Sequence, residues 1–527
     1  MGVIAALAAA AMAGSGAASV TARAAATGEP KLTIKALDRE GNPVTATASV
    51  QSAASPDVDD LVTSGHAAAL PAGTYNVAAW VWEPGKKAAT LVDQALTITS
   101  SRTLVLDARP GHRVRFTVND STVSQDAVLA EPFSPTVGRP AFDNGGGGPI
   151  QGATVYVVPG TMPTGWTLLL QADLIRHRAT PVTLSPVEYD LVRVISDTIP
   201  ANLTFASSKA SLAREHVLVR AVDLGGSEGA FVEPIDQGTD ASSLRVAAAT
   251  FGQSQVRAPF AVDFYVTPGF RWSVGATAAG GSSGTATSGQ PVISGHSYAQ
   301  TFNNAVFGPY PEFGPSVYRD EILTDPSFGN FFLADPTHAS TSAGILPINP
   351  QGWIYQGSKL LAHSKGYGNR VTAKVSATPR WYTLRIQAVR SNGGGLALTS
   401  VLAQSLTGSF TFRAWANDAS LNASVFWPRL IPQGLSTSNA ARPGTRTTIP
   451  ITFDTQTGAI AVHGVRVWAS ANGGRTWTAL KVGSIGNTWS VTIVNPAKAG
   501  FVSLKVQGTN AAGFTASVTA INAYRVS

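Results

Sequence analysis

The sequence predicts an all-β protein made of tandem β-sandwich domains, and three observations carry that expectation. Stretches of two-residue alternation rich in Val, Thr, Tyr and Trp recur between Pro/Gly turns, the pattern of half-buried strands. The 52 Gly and 32 Pro among 527 residues imply many turns and short strands. Charged residues are only 13% against 44% hydrophobic, where about 25% charged is usual. Such a chain folds rather than staying disordered, with a surface of Thr, Ser, Asn and Gly. At about 100–200 residues per domain, roughly three to five domains are expected.

The clearest element follows Pro71-Ala72-Gly73 and ends at Glu83-Pro84-Gly85. Tyr75, Val77, Ala79 and Val81 fall on one face, and Asn76, Ala78, Trp80 and Trp82 on the other. Trp80 and Trp82 are expected to pack as scaffold against a neighbouring sheet or domain; exposed rings would instead mark a binding site.

The order of the chain then reads as follows. Val3–Ala13 is an apolar run too short for a membrane span, and Ala22-Arg23-Ala24 offers a small-x-small cleavage site, so residues 1–24 read as a signal peptide without the usual basic start. Export is expected, and the location secreted. The first sandwich is placed at residues 29–109: Leu32, Ile34 and Ala36 alternate, Asp38–Pro43 turns the chain, Val44–Val50 returns, Ser52–Gly65 is looser, and Leu91–Ile98 and Thr103–Asp107 complete it. A second sandwich spans 110–266, with strands at Val155–Val158, Thr167–Ala172, Val187–Ile195 and His216–Val222, and one or two helical turns at Ser208–Glu215. A third, aromatic-rich sandwich spans 267–435, with a loop at Ala276–Ser288 and alternating strands at Arg380–Ile386 and Ser409–Trp415. An immunoglobulin-like sandwich of about six strands fills 436–527. Its Ser470–Trp477 stretch fits the Ser-x-Asp-x-Gly-x-Thr-Trp hairpin with Asn472 in the Asp position, and Asn472-Gly473 suits a two-residue turn.

Several function classes are excluded by composition. There is no cysteine, hence no disulfide, thiolate metal site or thiol catalysis. The net charge of +7 is spread thinly. The densest basic stretch, Arg109–Arg115, alternates with Val114 and Phe116 as the wet face of a strand does, so no nucleic-acid partner is expected. The run Gly145–Gly148 lacks the Lys and helix of a phosphate loop. The eight His are scattered without a paired zinc motif. Asp57, Asp59 and Asp60 are oxygen donors without calcium-loop spacing. No cofactor and no metal are expected.

The turn Asp38-x-x-Gly41-x-Pro43, with Leu70-Pro71-Ala72-Gly73-x-Tyr75, resembles the carboxypeptidase regulatory-like (transthyretin-like) sandwich. The stretch through Leu104–Arg109, the Ser470–Trp477 hairpin, Asn495–Ala497 and Gly500–Val506 resemble the non-catalytic C-terminal region of large secreted subtilisin-like serine proteases of high-GC bacteria. Looser echoes are Tyr265–Gly269, Trp272, Val306–Pro309 and Phe410–Phe412. The resemblance covers most of residues 30–527 and implies an ancillary role beside a protease domain. The family's catalytic signatures, Asp-[Ser/Thr]-Gly, His-Gly-Thr-His and Gly-Thr-Ser-Met-Ala, do not occur in the sequence. Gly295–Tyr298 and Ser340–Gly344 only echo them, lacking the second His and the Gly-Thr entry with its Met.

The expected function is therefore a secreted, non-catalytic, multi-domain β-sandwich protein whose partner is an extracellular protein or cell-wall polysaccharide. One alternative is a carbohydrate-binding or adhesion protein using the aromatic segment 298–332. Tyr310, Phe313, Tyr318 and Trp353 are the candidate contact residues. A second is an enzyme built on Asp320, Glu321 or Asp325, which cluster with Asp335 near those aromatics; glycosidases need two such acids about 5–10 Å apart. A third is a truncated subtilisin-like protease whose catalytic domain lies upstream.

Overall fold

The computed structural model describes residues 28–54, 59–134, 139–142, 150–176, 185–222, 228–235, 251–278, 283–287, 289–309, 315–323, 335–338, 342–344, 351–365, 370–389, 401–421, 425–455, 458–486 and 488–527. The expected leader 1–24 and the Gly145–Gly148 run lie outside these residues. The architecture is all-β, in tandem sandwiches.

In the first sandwich, Lys31–Leu37 pairs with Pro43–Val44 and Ala67–Ala69, and in parallel with Arg102–Asp107. The facing sheet runs Asp59–Thr63, Thr47–Ser52, Gly73–Trp82, Ala88–Ile98. Leu32, Ile34, Val50, Tyr75, Val77, Val81 and Leu106 fill the space between. The stretch expected to be loose contains the strand Asp59–Thr63, zipped in register along Thr47–Ser52. This facing sheet continues past residue 109, adding Thr154–Val157 and His112–Arg113.

Its second face is also buried. Ala78, Trp80 and Leu91 enter a core with Trp166, Leu168, Leu170, Tyr189 and Leu191, and the Trp80 ring lies 6.4 Å from that of Phe142. Trp82 is the last residue of its strand and 51% exposed. The packing expectation therefore holds for Trp80 and fails for Trp82, although Ala89, its cross-strand partner, is fully buried.

The middle layer is an eight-stranded sheet in the order Arg139–Pro140, Ser124–Ser134, Thr167–Ile175, Val187–Ser196, Phe260–Val266, Ala213–Val219, Ser297–Phe302, with Ile150–Gln151 also pairing to Ser124–Ser134. One face meets the Trp80 core. The other packs Leu129, Leu169, Val192 and Phe264 against Val232, Trp272 and Val274 of a six-stranded sheet. That second sheet joins Glu228–Ile235 to Arg271–Ala278, so one core spans both sides of residue 266. The helical expectation at 208–215 reduces to a 3-10 turn, Lys209–Ser211, capped by Ser208. Glu215 instead belongs to the strand Ala213–Val219, whose odd residues are buried. The predicted loop 276–288 is mostly hairpin, with Ala278 pairing to Ser283.

The last unit opposes a nine-stranded sheet to a five-stranded one. Ser405–Ala414 pairs along Thr515–Val526, so strands from both sides of residue 436 share one sheet and one core. The Ser470–Trp477 stretch is a closed loop. Ser470 Oγ donates to Asn472 Oδ1 (2.9 Å), which also accepts from Thr476 N (3.0 Å). The positive-φ pair is Gly473-Gly474 rather than Asn472-Gly473, because the Asn472 side chain is committed to holding the loop.

Asn439 joins the middle and last units. Fully buried at φ 52°, it donates from Nδ2 to Ala221 O (3.0 Å) and Asn303 O (2.8 Å), and its Oδ1 accepts from Ala305 N (3.0 Å). Asn is among the residue types that tolerate this backbone region.

Candidate functional site

Alternation in the nine-stranded sheet decides which residues face out. Along Arg380–Val389, Tyr382, Leu384 and Ile386 are buried, leaving Trp381, Thr383, Arg385 and Gln387 outside. Register then sets aromatics beside cations. Trp353 stands between His363 and Arg385, Trp381 opposite Arg413, and Trp468 opposite Lys505. The Trp353 and His363 rings stack with centroids 5.1 Å apart and 7° between planes. Arg385 Cζ is 5.6 Å from the Trp353 centroid, Arg413 Cζ 5.9 Å from Trp381, and Lys505 Nζ 5.1 Å from Trp468, all within the range of cation–π attraction. Phe514 meets Trp381 edge-on at 5.8 Å, and Trp381 remains 43% exposed.

Between these pairs run hydroxyls in register: Thr407 opposite Thr519, Ser409 opposite Ser517, Thr411 opposite Thr515. Thr383 and Thr411 share a 3.0 Å hydrogen bond between their hydroxyls. None of the nine strands contains Asp or Glu. From the Trp353 strand to the Trp468 strand is five strand spacings, roughly 24 Å. The face therefore presents indole rings, guanidinium and ammonium groups, and hydroxyls, without a carboxylate to repel an anion.

Of the predicted contact residues, Trp353 lies on this face. Tyr318 is 61% exposed, with Arg319 Cζ 5.3 Å from its ring, but it belongs to a separate three-stranded sheet. Tyr310 and Phe313 lie outside the described residues. Trp381, Trp468, Arg385 and Arg413 were missed because they come from segments up to about a hundred positions apart; only the strand order brings them together.

Of the acids expected near the aromatics, Glu321 opens the strand Glu321–Leu323 and Asp320 precedes it in the turn. Asp320 is exposed and paired with Lys374 at 3.6 Å. Asp335 is fully buried, accepting from Asn304 N and from Thr337 N and Oγ1, which is a loop-holding role. Asp325 lies outside the described residues. Asp57 does too, and Asp59 and Asp60, adjacent in a strand, point to opposite faces. The basic stretch near 109 behaves as expected: Arg109 pairs with Asp107 (2.7 Å), while Val114 and Phe116 are buried. Among the described residues, one trio of acids lies close enough to hold a metal: Asp173, Glu188 and Asp190.

No protein-family model and no curated protein matches the chain. Solved structures that it resembles include titin domains Z1Z2 in complex with telethonin (12% identity, 43% of this chain and 97% of that one, TM-score 0.12). Others are a Salmonella alpha-2-macroglobulin reacted with methylamine (11% identity, 91% and 37%, TM-score 0.18) and a streptococcal ancillary pilin (9% identity, 52% and 98%, TM-score 0.11). No helix among the described residues is long and apolar enough to cross a membrane.

Proposed function

We propose that the chain is a secreted, non-catalytic binding protein, related in role to the ancillary region of large subtilisin-like proteases. Its ligand in this reading is cell-wall polysaccharide, held on the outer face of the nine-stranded sheet. The observation that supports it is the row of Trp353, Trp381 and Trp468, each beside a cation, on strands that carry no carboxylate. A sugar ring has an apolar C–H face that stacks on indole. The neighbouring guanidinium groups direct fixed N–H donors at hydroxyl, carboxylate or phosphate oxygens. An open sheet face about 24 Å across suits an extended polymer, whereas small ligands are usually enclosed.

A polysaccharide array followed by co-sedimentation with isolated cell walls tests this. Trp353→Ala and Trp381→Ala are each expected to weaken binding about tenfold, near 1.4 kcal/mol, with the circular dichroism spectrum unchanged. A silent array and no sedimentation would sink the proposal. Turnover of casein or polysaccharide by the purified chain would overturn its non-catalytic part.

A further inference from the structure

Three carboxylates meet inside the middle sandwich. Asp173 and Asp190 are direct cross-strand partners on Thr167–Ile175 and Val187–Ser196. Glu188 precedes Asp190 by two residues, so strand alternation puts it on the same face. That face is the one packed between the two sheets, alongside Leu169 and Val192. One oxygen from each acid lies within 4.8 Å of the other two, and their exposures are 6% for Asp173 and 0% for Glu188 and Asp190. Neither carboxylate oxygen of Asp190 has a hydrogen-bond partner, and neither does Oδ1 of Asp173.

A buried carboxylate is costly unless its charge is met, and like charges close together raise that cost. Burial first, and then the charges of Glu188, Asp190 and Asp126, hold the Asp173 carboxyl well above the usual range. Burial and Glu188 do the same to Asp190. Protons or a cation must therefore neutralise Asp190, whose two carboxylate oxygens have no partner. A proton shared between Asp173 and Glu188 would account for the hydrogen bond those two make, and it leaves Asp190 unmatched.

We propose that Asp173, Glu188 and Asp190 form a calcium site between the sheets of the middle sandwich. Donors that are all oxygen select a hard cation. Magnesium dehydrates reluctantly and usually keeps several waters, whereas calcium accepts a flexible set of about six to eight oxygens, so a buried cluster of carboxylates suits calcium. The site is independent of the polysaccharide reading, being in another unit and on an interior face.

The test is calorimetric titration of the chelator-stripped full chain with calcium chloride, with magnesium chloride as comparator. One calcium per chain is expected, bound more tightly than magnesium, with a melting temperature that climbs with the logarithm of free calcium. Asp190→Asn and Asp173→Asn should each weaken binding by at least about tenfold, since even changes behind the ligands cost about 10–100-fold. Asn keeps the shape and removes charge repulsion, so both variants should fold without metal; if one does not, the other and the wild-type titration decide. No calcium binding overturns the proposal, as does binding that both variants leave intact, or a melting temperature that responds to pH and not to calcium.

Discussion

The middle and last units share an architecture and differ inside. In the middle sandwich, the face that carries Leu129, Leu169 and Phe264 also carries Glu131, Gln171, Asp173, Glu188, Asp190 and Glu215, none more than 6% exposed. In the last unit, the inner face of the nine-stranded sheet holds Tyr382, Leu384, Ile386, Phe410, Phe412 and Val518, and every charge on its strands is positive. One interior face carries carboxylates and the other does not. The stability of the first must depend on what the solution supplies, while the inner face of the nine-stranded sheet is held chiefly by packing.

The largest expected effect tests the apolar side of that contrast. Phe410 is 1% exposed and sits at the centre of the last core. Phe410→Ala removes a ring and leaves a cavity, at a cost of about 3–5 kcal/mol. Denaturant unfolding followed between pH 5 and 8, with and without calcium, should give the same loss in every condition. A loss that varies strongly with pH would show that the two interiors are not energetically distinct.

The next effect tests the titrating side. Burial raises the Glu215 carboxyl from 4.5 to about 7, against the pull of a hydrogen bond from Gln290. Burial likewise lifts Asp93, where the first sheet packs on the middle unit, from 3.8 to about 7. Between about pH 4 and 7 the folded chain keeps these protons while the unfolded chain has lost them. Unfolding then releases protons, so stability falls as pH rises across that window, and the contribution is gone above about pH 7. For Glu215 the full span is worth at most roughly 3 kcal/mol at about 1.4 kcal/mol per pH unit. Glu215→Gln retains an oxygen for Gln290 and removes the titration. Chemical unfolding in chelator at pH 5 and pH 8 should therefore show a shallower pH slope for the variant; an unchanged slope would mean that Glu215 does not carry the effect.

The contrast itself was only half legible in the sequence. Tyr382, Leu384 and Ile386 alternate with polar residues so regularly that the inner face of the last sheet follows from period two alone. The strand Val187–Ser196 was legible as a strand, but its sequence carries no sign that Glu188 and Asp190 are buried. They are buried because a second sheet, built from residues 228–344, covers them, and nothing local signals that cover. The same limit applies to domain boundaries and to Asn439. An Asn in a Ser/Asn-rich turn gives no hint that it ties two units together through backbone groups some 130 and 220 positions away. The Trp–cation row was invisible for the opposite reason: each ring was in plain view, and the register that groups them was not.

The smallest expected effect bears on the outer face. Thr383 and Thr411 pair through their hydroxyls across two strands, a contact worth about 0.2–1 kcal/mol. Thr383→Val keeps the β-branched shape and removes one hydroxyl, so the unfolding free energy should move by less than about 1 kcal/mol. A face kept for binding tolerates that change in stability while still registering it in polysaccharide affinity, because Thr383 lies between Trp381 and Arg385 on the same strand. A loss above about 2 kcal/mol would instead be the mark of a desolvated polar contact. The outer face of the nine-stranded sheet would then be a second interior, and the polar interior of the middle sandwich would no longer be the exception in this chain.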